Sequence, residues 1–194
     1  AFEKAVTNYK QLDIVVNNAG IVEEVQWEKT IAVNLVKILT TAVIQGSYLA
    51  QQKFLPKYKS GEEGVIVNTA SILGLNTIDS LPIYCAAKHG VVALGEALGG
   101  DVYYKQYKVR VLTICPGVVR TPMVTNPDSK KIVLADKAKE DIRTLNSVIQ
   151  SPECVGKALI EILKKGKNGS LWVTEDAEPA YEVVIPDRKL MRKQ

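Results

Sequence analysis

Tyr84 and Lys88 stand four residues apart in Pro82-Ile83-Tyr84-Cys85-Ala86-Ala87-Lys88. On a helix that spacing puts both side chains on one face. A free phenol has a pKa near ~10 and is a poor base at neutral pH, but a neighbouring ammonium favours the phenolate. Bringing the phenol to about 7 takes roughly 4 kcal/mol, more than an exposed lysine supplies, so the pair works as a base only in a partly desolvated site with further positive charge nearby. Ser71 lies 13 residues before Tyr84 and offers a hydroxyl to the same substrate oxygen, orienting it and supporting charge as it develops. Taken alone, Tyr-x-x-x-Lys is a weak signal, because an exposed pair has the same spacing.

The elements that must position these groups follow from hydrophobic periodicity. Phe2, Ala5, Val6 and Tyr9 read as a helix over residues 1–11, and Leu12 to Val16 as a strand buried on both faces, closed by Asn17-Asn18-Ala19-Gly20. A helical pattern runs from about Trp27 to Tyr58, with Pro56 in its last turn, and Val65 to Thr69 is a β-branched run. A second long helix is expected from Pro82 to Gln106, although Gly90, Gly95, Gly99 and Gly100 weaken its propensity. Val109 to Cys115 reads as a strand stopped by Pro116-Gly117, and residues 120–150 are polar, Lys-rich and weakly periodic. Ser151-Pro152-Glu153 opens a helix that Gly166 ends, Leu171 to Thr174 reads as a last strand, and Asp187 to Gln194 as a solvated tail. The order is that of an α/β chain with a doubly wound parallel sheet, one domain over residues 1–194. Ligands of such sheets bind beyond the carboxyl ends of the strands. Those ends carry Asn17-Asn18-Ala19-Gly20, Thr69-Ala70-Ser71 and Pro116-Gly117-Val118-Val119-Arg120-Thr121, with Tyr84 and Lys88 just after the second.

Composition narrows the classes. Apolar residues make up 46% and charged residues 24%, the balance of a globular protein rather than a disordered one. A formal charge of +4 is too mild to argue for nucleic acid, and no apolar stretch approaches a membrane span. Cys85, Cys115 and Cys154 have neither zinc nor disulfide-framework spacing and fit a reducing compartment, so no metal site and a cytoplasmic location are expected. His89 and Cys85 flank the pair, but adjacent helical residues point about 100° apart, so both are read as packed rather than catalytic. Lys130, Lys131, Lys137, Lys139 and Arg143 are read as a solvated face, with an acidic substrate tail as the sharper alternative.

Asn17-Asn18-Ala19-Gly20, Asn34, Ser71, Tyr84-x-x-x-Lys88 and Pro116-Gly117 with Thr121 together resemble the signature set of the short-chain dehydrogenase/reductase family. The resemblance covers residues 10 to 174. Within it, Trp27-Glu28-Lys29-Thr30, Pro82-x-Tyr84-Cys85-Ala86-x-Lys88-His89-Gly90 and Ile114-Cys115-Pro116-Gly117 are similar to the branch that oxidises 15-hydroxyprostaglandins, and the ending Tyr181 to Lys189 to its insect relatives. The resemblance implies a Rossmann-like fold and an NAD-dependent oxidoreductase (EC 1.1.1.-, with NADP not excluded) acting on a secondary alcohol or ketone, including a hydroxylated lipid. It implies Asn34, Ser71, Tyr84 and Lys88 as catalytic residues, Tyr84 being the base and Asn34 holding a water that links Lys88 to solvent. It also implies cofactor contacts from Asn18, Ala19, Gly20, Tyr84, Lys88, Pro116, Gly117, Val118 and Thr121. Substrate contacts are expected from Ser71, Leu81 and Tyr84. A homodimer is implied through the two long helices, where Gly46, Tyr48, Ala93 and Ala97 lie.

Two departures stand out. No G-x-x-x-G-x-G turn occurs and only 16 residues precede Asn17. By the resemblance, the first βαβαβ part, on the order of 70 residues that would cradle pyrophosphate and adenosine, is expected to be missing. Activity would then require it, and a catalytically silent α/β scaffold or binding protein is the alternative. Leu81 stands where the prostaglandin-oxidising branch has a glutamine, which implies altered specificity toward a less polar alcohol rather than lost catalysis.

Overall fold

A computed structural model describes residues 1–22, 24–25 and 42–193. The β-branched runs form four parallel strands that neighbour one another in chain order: β1 (Ile14–Asn17), β2 (Gly64–Thr69), β3 (Val109–Pro116) and β4 (Leu171–Thr174). A fifth, β5 (Tyr181–Val183), pairs antiparallel with β4 and adds one antiparallel edge to the parallel sheet expected from the sequence. The helices among the described residues are α1 (Phe2–Tyr9), α2, α3 (Pro82–Leu98), α4 (Asp101–Tyr107), α5 (Pro122–Thr125), α6 (Ala135–Leu145) and α7 (Pro152–Lys165). α2 has π geometry over residues 42–45, is α-helical over Gly46–Leu49, passes again through π geometry over Ala50–Phe54 and resumes over Leu55–Tyr58. Pro56 accounts for the loosened turn, since its ring excludes the carbonyl four residues back and it has no N–H to give. The expected start of this helix at Trp27, and Asn34 with it, fall outside the described residues.

Strands β2 and β3 are covered on both faces, which is why they read as unbroken apolar runs. One face packs Val15, Ile66, Val109 and Val111 against Ala50 and Leu55 of α2 and Leu98 of α3. The other packs Val65, Val67, Leu112, Ile114 and Trp172 against Ala158 and Ile162 of α7. That second layer leaves β1 out, so Ile14 and Val16 remain 44% and 43% exposed, where a strand buried on both faces was expected.

The helix expected over 82–106 is two. It breaks at Gly99-Gly100 because Gly99 lies against another stretch of backbone: a Cβ there would sit 2.3 Å from the Gly169 Cα. The Asn168 side chain donates to the Gly99 carbonyl at 2.6 Å and fixes the break. The segment 120–150, read as weakly periodic, folds into α6, which buries Ala138. No helix among the described residues is long and apolar enough to cross a membrane.

Candidate active site

β2 stops at Thr69, and its last carbonyl accepts a hydrogen bond from Lys88 Nζ at 3.0 Å. Two residues on, Ser71 caps a tight turn over Ile72–Gly74, its Oγ accepting from the Leu73 N–H at 3.1 Å. This turn rests on α3: a Cβ on Gly74 would lie 2.7 Å from the Lys88 carbonyl oxygen. Tyr84 is the third residue of α3 and Lys88 lies one turn later, with Nζ 5.6 Å from the Tyr84 ring centroid. The Ser71 side chain lies close enough to the Tyr84 phenol to favour its ionised form. Ser71, Tyr84 and Lys88 thus converge at the carboxyl end of the sheet.

Burial dominates the electrostatics. It pushes the Tyr84 phenol above its ordinary value, against the pull of the Ser71 side chain, and the neighbouring Cys85 adds to the rise. It brings the Lys88 ammonium down from 10.5 to about 8, opposed by the field of Cys115, and Lys88 is only 6% exposed. The sequence reading has Lys88 lowering the phenol; among the chain's own groups, burial has the largest influence and raises it.

A cleft of about 620 Å³ opens beside these groups. Asn18, Ala19 and Gly20 wall it from the end of β1, and Pro116, Gly117, Val118 and Thr121 from the end of β3. A Cβ on Gly20 would lie 3.6 Å from Lys88 Nζ, so this loop runs directly over the ammonium. On the other side Val22, Leu81, Met123, Ile132 and Leu145 form an apolar wall, and Leu81 is 3% exposed. Lys88 is the only cationic side chain lining the cleft among the described residues.

The loop after β3 is held by residues that sequence reasoning missed. Gly117 N–H donates to the Thr174 carbonyl at 2.8 Å and Val118 N–H to Asn146 Oδ1 at 2.7 Å. Asn146 is fixed in turn by Glu175 at 2.7 Å, and Gln150 bridges to Val119 while donating to the Thr174 carbonyl at 2.7 Å. Glu24 was missed as well: its buried carboxylate accepts from the N–H groups of Ile83 and Tyr84. A signal for it was available, since Leu81-Pro82 offers α3 no side-chain cap of its own.

The features set aside in the sequence behave as packing and surface. His89 Nδ1 lies 2.9 Å from the Cys85 carbonyl oxygen, and the ring borders a separate cavity of about 570 Å³. Cys85 is buried in the core. Lys131, Lys137 and Lys139 pair with Asp128, with Glu140 and Asp141, and with Asp136, forming a solvated face.

The model of the short chain dehydrogenase family matches residues 1–132. Alcohol dehydrogenase 2 of Ceratitis cosyra is 33% identical over 175 residues, which are 90% of this chain and 65% of that protein. The 15-hydroxyprostaglandin dehydrogenase [NAD(+)] of Rattus norvegicus is 33% identical over 168 residues, 84% of this chain and 60% of that protein. This chain therefore spans somewhat under two thirds of the length of these relatives. Among solved structures, L-sorbose reductase from Gluconobacter frateurii, complexed with NADPH and L-sorbose, superposes with a TM-score of 0.68 at 20% identity, over 90% of this chain and 69% of that one. That likeness speaks to the fold. With the family model covering more than half of its residues, the chain belongs to the short chain dehydrogenase family.

Proposed function

We propose that the protein is an NAD(P)-dependent alcohol dehydrogenase of class EC 1.1.1, which interconverts a secondary alcohol and its ketone. One observation carries the reading: Tyr84, beside Ser71 in the lining of an apolar cleft, shares a helix face with a buried Lys88. The residues fit the nicotinamide end of the cofactor. Lys88 spends one N–H on Thr69, which leaves two for ribose hydroxyls, and the small residues Ala19, Gly20 and Gly117 leave room on both walls. Asn18 would lie along the cofactor, and Pro116, Val118 and Thr121 would face the nicotinamide carboxamide.

When bound, the oxidised nicotinamide supplies the hydride acceptor and a positive charge beside the phenol. The chain's residues handle the proton. Ser71 donates to the substrate oxygen and orients it, and Tyr84 Oη takes the hydroxyl proton. Lys88 stabilises the phenolate, and Asn34 is assigned the water that carries the proton onward. An uncharged, apolar alcohol suits the wall of Val22, Leu81, Met123 and Ile132 best, and a hydroxylated lipid that keeps its polar head outside the cleft fits the same wall. NAD is the first cofactor to test, followed by NADP. We further assign a homodimer to the exposed small residues Ala86, Gly90, Ala93 and Ala97 of α3.

The test is a panel of secondary alcohols with NAD and NADP, read by absorbance of the reduced cofactor. Tyr84→Phe should lower the rate by about 10²–10⁴-fold while cofactor binding, measured by calorimetry, stays unchanged. A variant that keeps more than about a tenth of the rate removes Tyr84 from the role of base. A wild-type protein inert with every pair supports a binding or scaffold role instead.

A further inference from the structure

Glu24 sits four residues beyond the Gly20 that overlies Lys88, and it is 4% exposed. Its carboxylate reaches across to the start of α3, where Oε1 accepts from the Tyr84 N–H at 2.8 Å and Oε2 from the Ile83 N–H at 3.1 Å. Its own N–H donates to the Lys131 carbonyl at 2.6 Å. The next residue, Ile132, lines the cleft.

The need for this contact is written into the helix. The first N–H groups of any helix lack intrahelical partners. In α3 the capping position is Leu81, which has no acceptor, and the first residue is Pro82, which has no N–H. The donors left over are those of Ile83 and Tyr84, and Glu24 takes both. Each bond is charge-assisted, and the carboxylate lies at the positive end of the helix dipole, where a negative charge is favoured. Uncapped helix ends fray, and this end carries the phenol.

We infer that Glu24 is a positioning residue of the reaction. It fixes the backbone of Tyr84 and, through Lys131, locks the loop over the nicotinamide site and the substrate wall to the same point. Base, cofactor loop and substrate wall then hold one geometry. The assignment rests on the proposed oxidoreductase activity.

Three variants test it in the whole protein. Glu24→Ala removes both acceptors, Glu24→Gln keeps one of them with the same volume, and Glu24→Asp keeps the charge on a shorter arm. With NAD and the best alcohol of the panel, kcat of Glu24→Ala should fall on the order of 10–100-fold, with KM for the alcohol little changed. Glu24→Asp should recover part of the loss. Hydrogen exchange, which needs no activity, should speed up about tenfold or more at the Ile83 and Tyr84 amides and stay unchanged in β3. If Glu24→Ala does not fold, Glu24→Gln carries the same two measurements. A kcat within about twofold of wild type overturns the inference, whether exchange at α3 changes or not. A wild type inert toward every alcohol overturns the oxidoreductase reading itself, and the exchange data then still report whether Glu24 caps α3.

Discussion

Lys88 keeps its charge in a dry place with the Thr69 carbonyl at 3.0 Å as its hydrogen-bond partner, and burial brings its pKa from 10.5 to about 8. In the unfolded chain the amine titrates at its ordinary value. Between about pH 8 and 10.5 the unfolded state therefore binds more protons, and stability contributed by Lys88 rises with pH across that window. Below pH 8 the penalty of the buried ammonium is present in full. The difference in unfolding free energy between wild type and Lys88→Met should accordingly move in favour of wild type as pH is raised from 8 to 10. Its slope should reach up to about 1.4 kcal/mol per pH unit. Urea midpoints at several pH values measure it, and a difference flat in pH contradicts the assignment. Tyr84 and Cys115, both raised by burial, act in the opposite sense at higher pH, but they are present in both proteins. At this scale the sequence is readable where spacing is local: Tyr84 and Lys88 are one helical turn apart. Glu24 was not, because its two bonds span 59 and 60 residues and no local pattern encodes them.

α3 packs close to the sheet, and its glycines say where. A Cβ on Gly95 would lie 1.9 Å from Thr113 Oγ1 of β3, whereas one on Gly90 would meet nothing within 4 Å. Gly95→Ala should therefore cost about 1–3 kcal/mol through overpacking. Gly90→Ala should instead gain roughly 0.5–1 kcal/mol from helix propensity. Urea unfolding at low protein concentration separates the two, and equal effects would mean that α3 does not sit on β3 as described. The same glycines lower the helix propensity of the segment in sequence, so propensity argues against α3 at the position where packing requires it. The break at Gly99-Gly100 depends on Gly169, some 70 residues later, and β5 is only three residues whose pairing is decided by the free edge of β4. Neither is visible to a window of local periodicity.

For the molecule as a whole, strand–helix alternation was legible because each parallel strand is a short apolar run and the helices that cover the sheet bury one face. The edge was not: the exposure of Ile14 and Val16 follows from α7 packing over β2 to β4 only. The candidate site gathers pieces from Asn18 to Val155, and its far loop hangs from Asn146, Gln150 and Thr174. That suspension has a consequence in time. Helices such as α3 and α7 form from near neighbours, but the loop after β3 acquires its geometry only when residues 28 to 57 positions downstream have docked, and such long-range closures are slow. On dilution from urea, far-UV ellipticity should recover in an early phase and the proposed dehydrogenase activity in a later one. Asn146→Ala should lengthen the interval between them. Stopped-flow dichroism alongside timed activity assays would measure that interval, and simultaneous recovery would show that the loop is set together with the secondary structure.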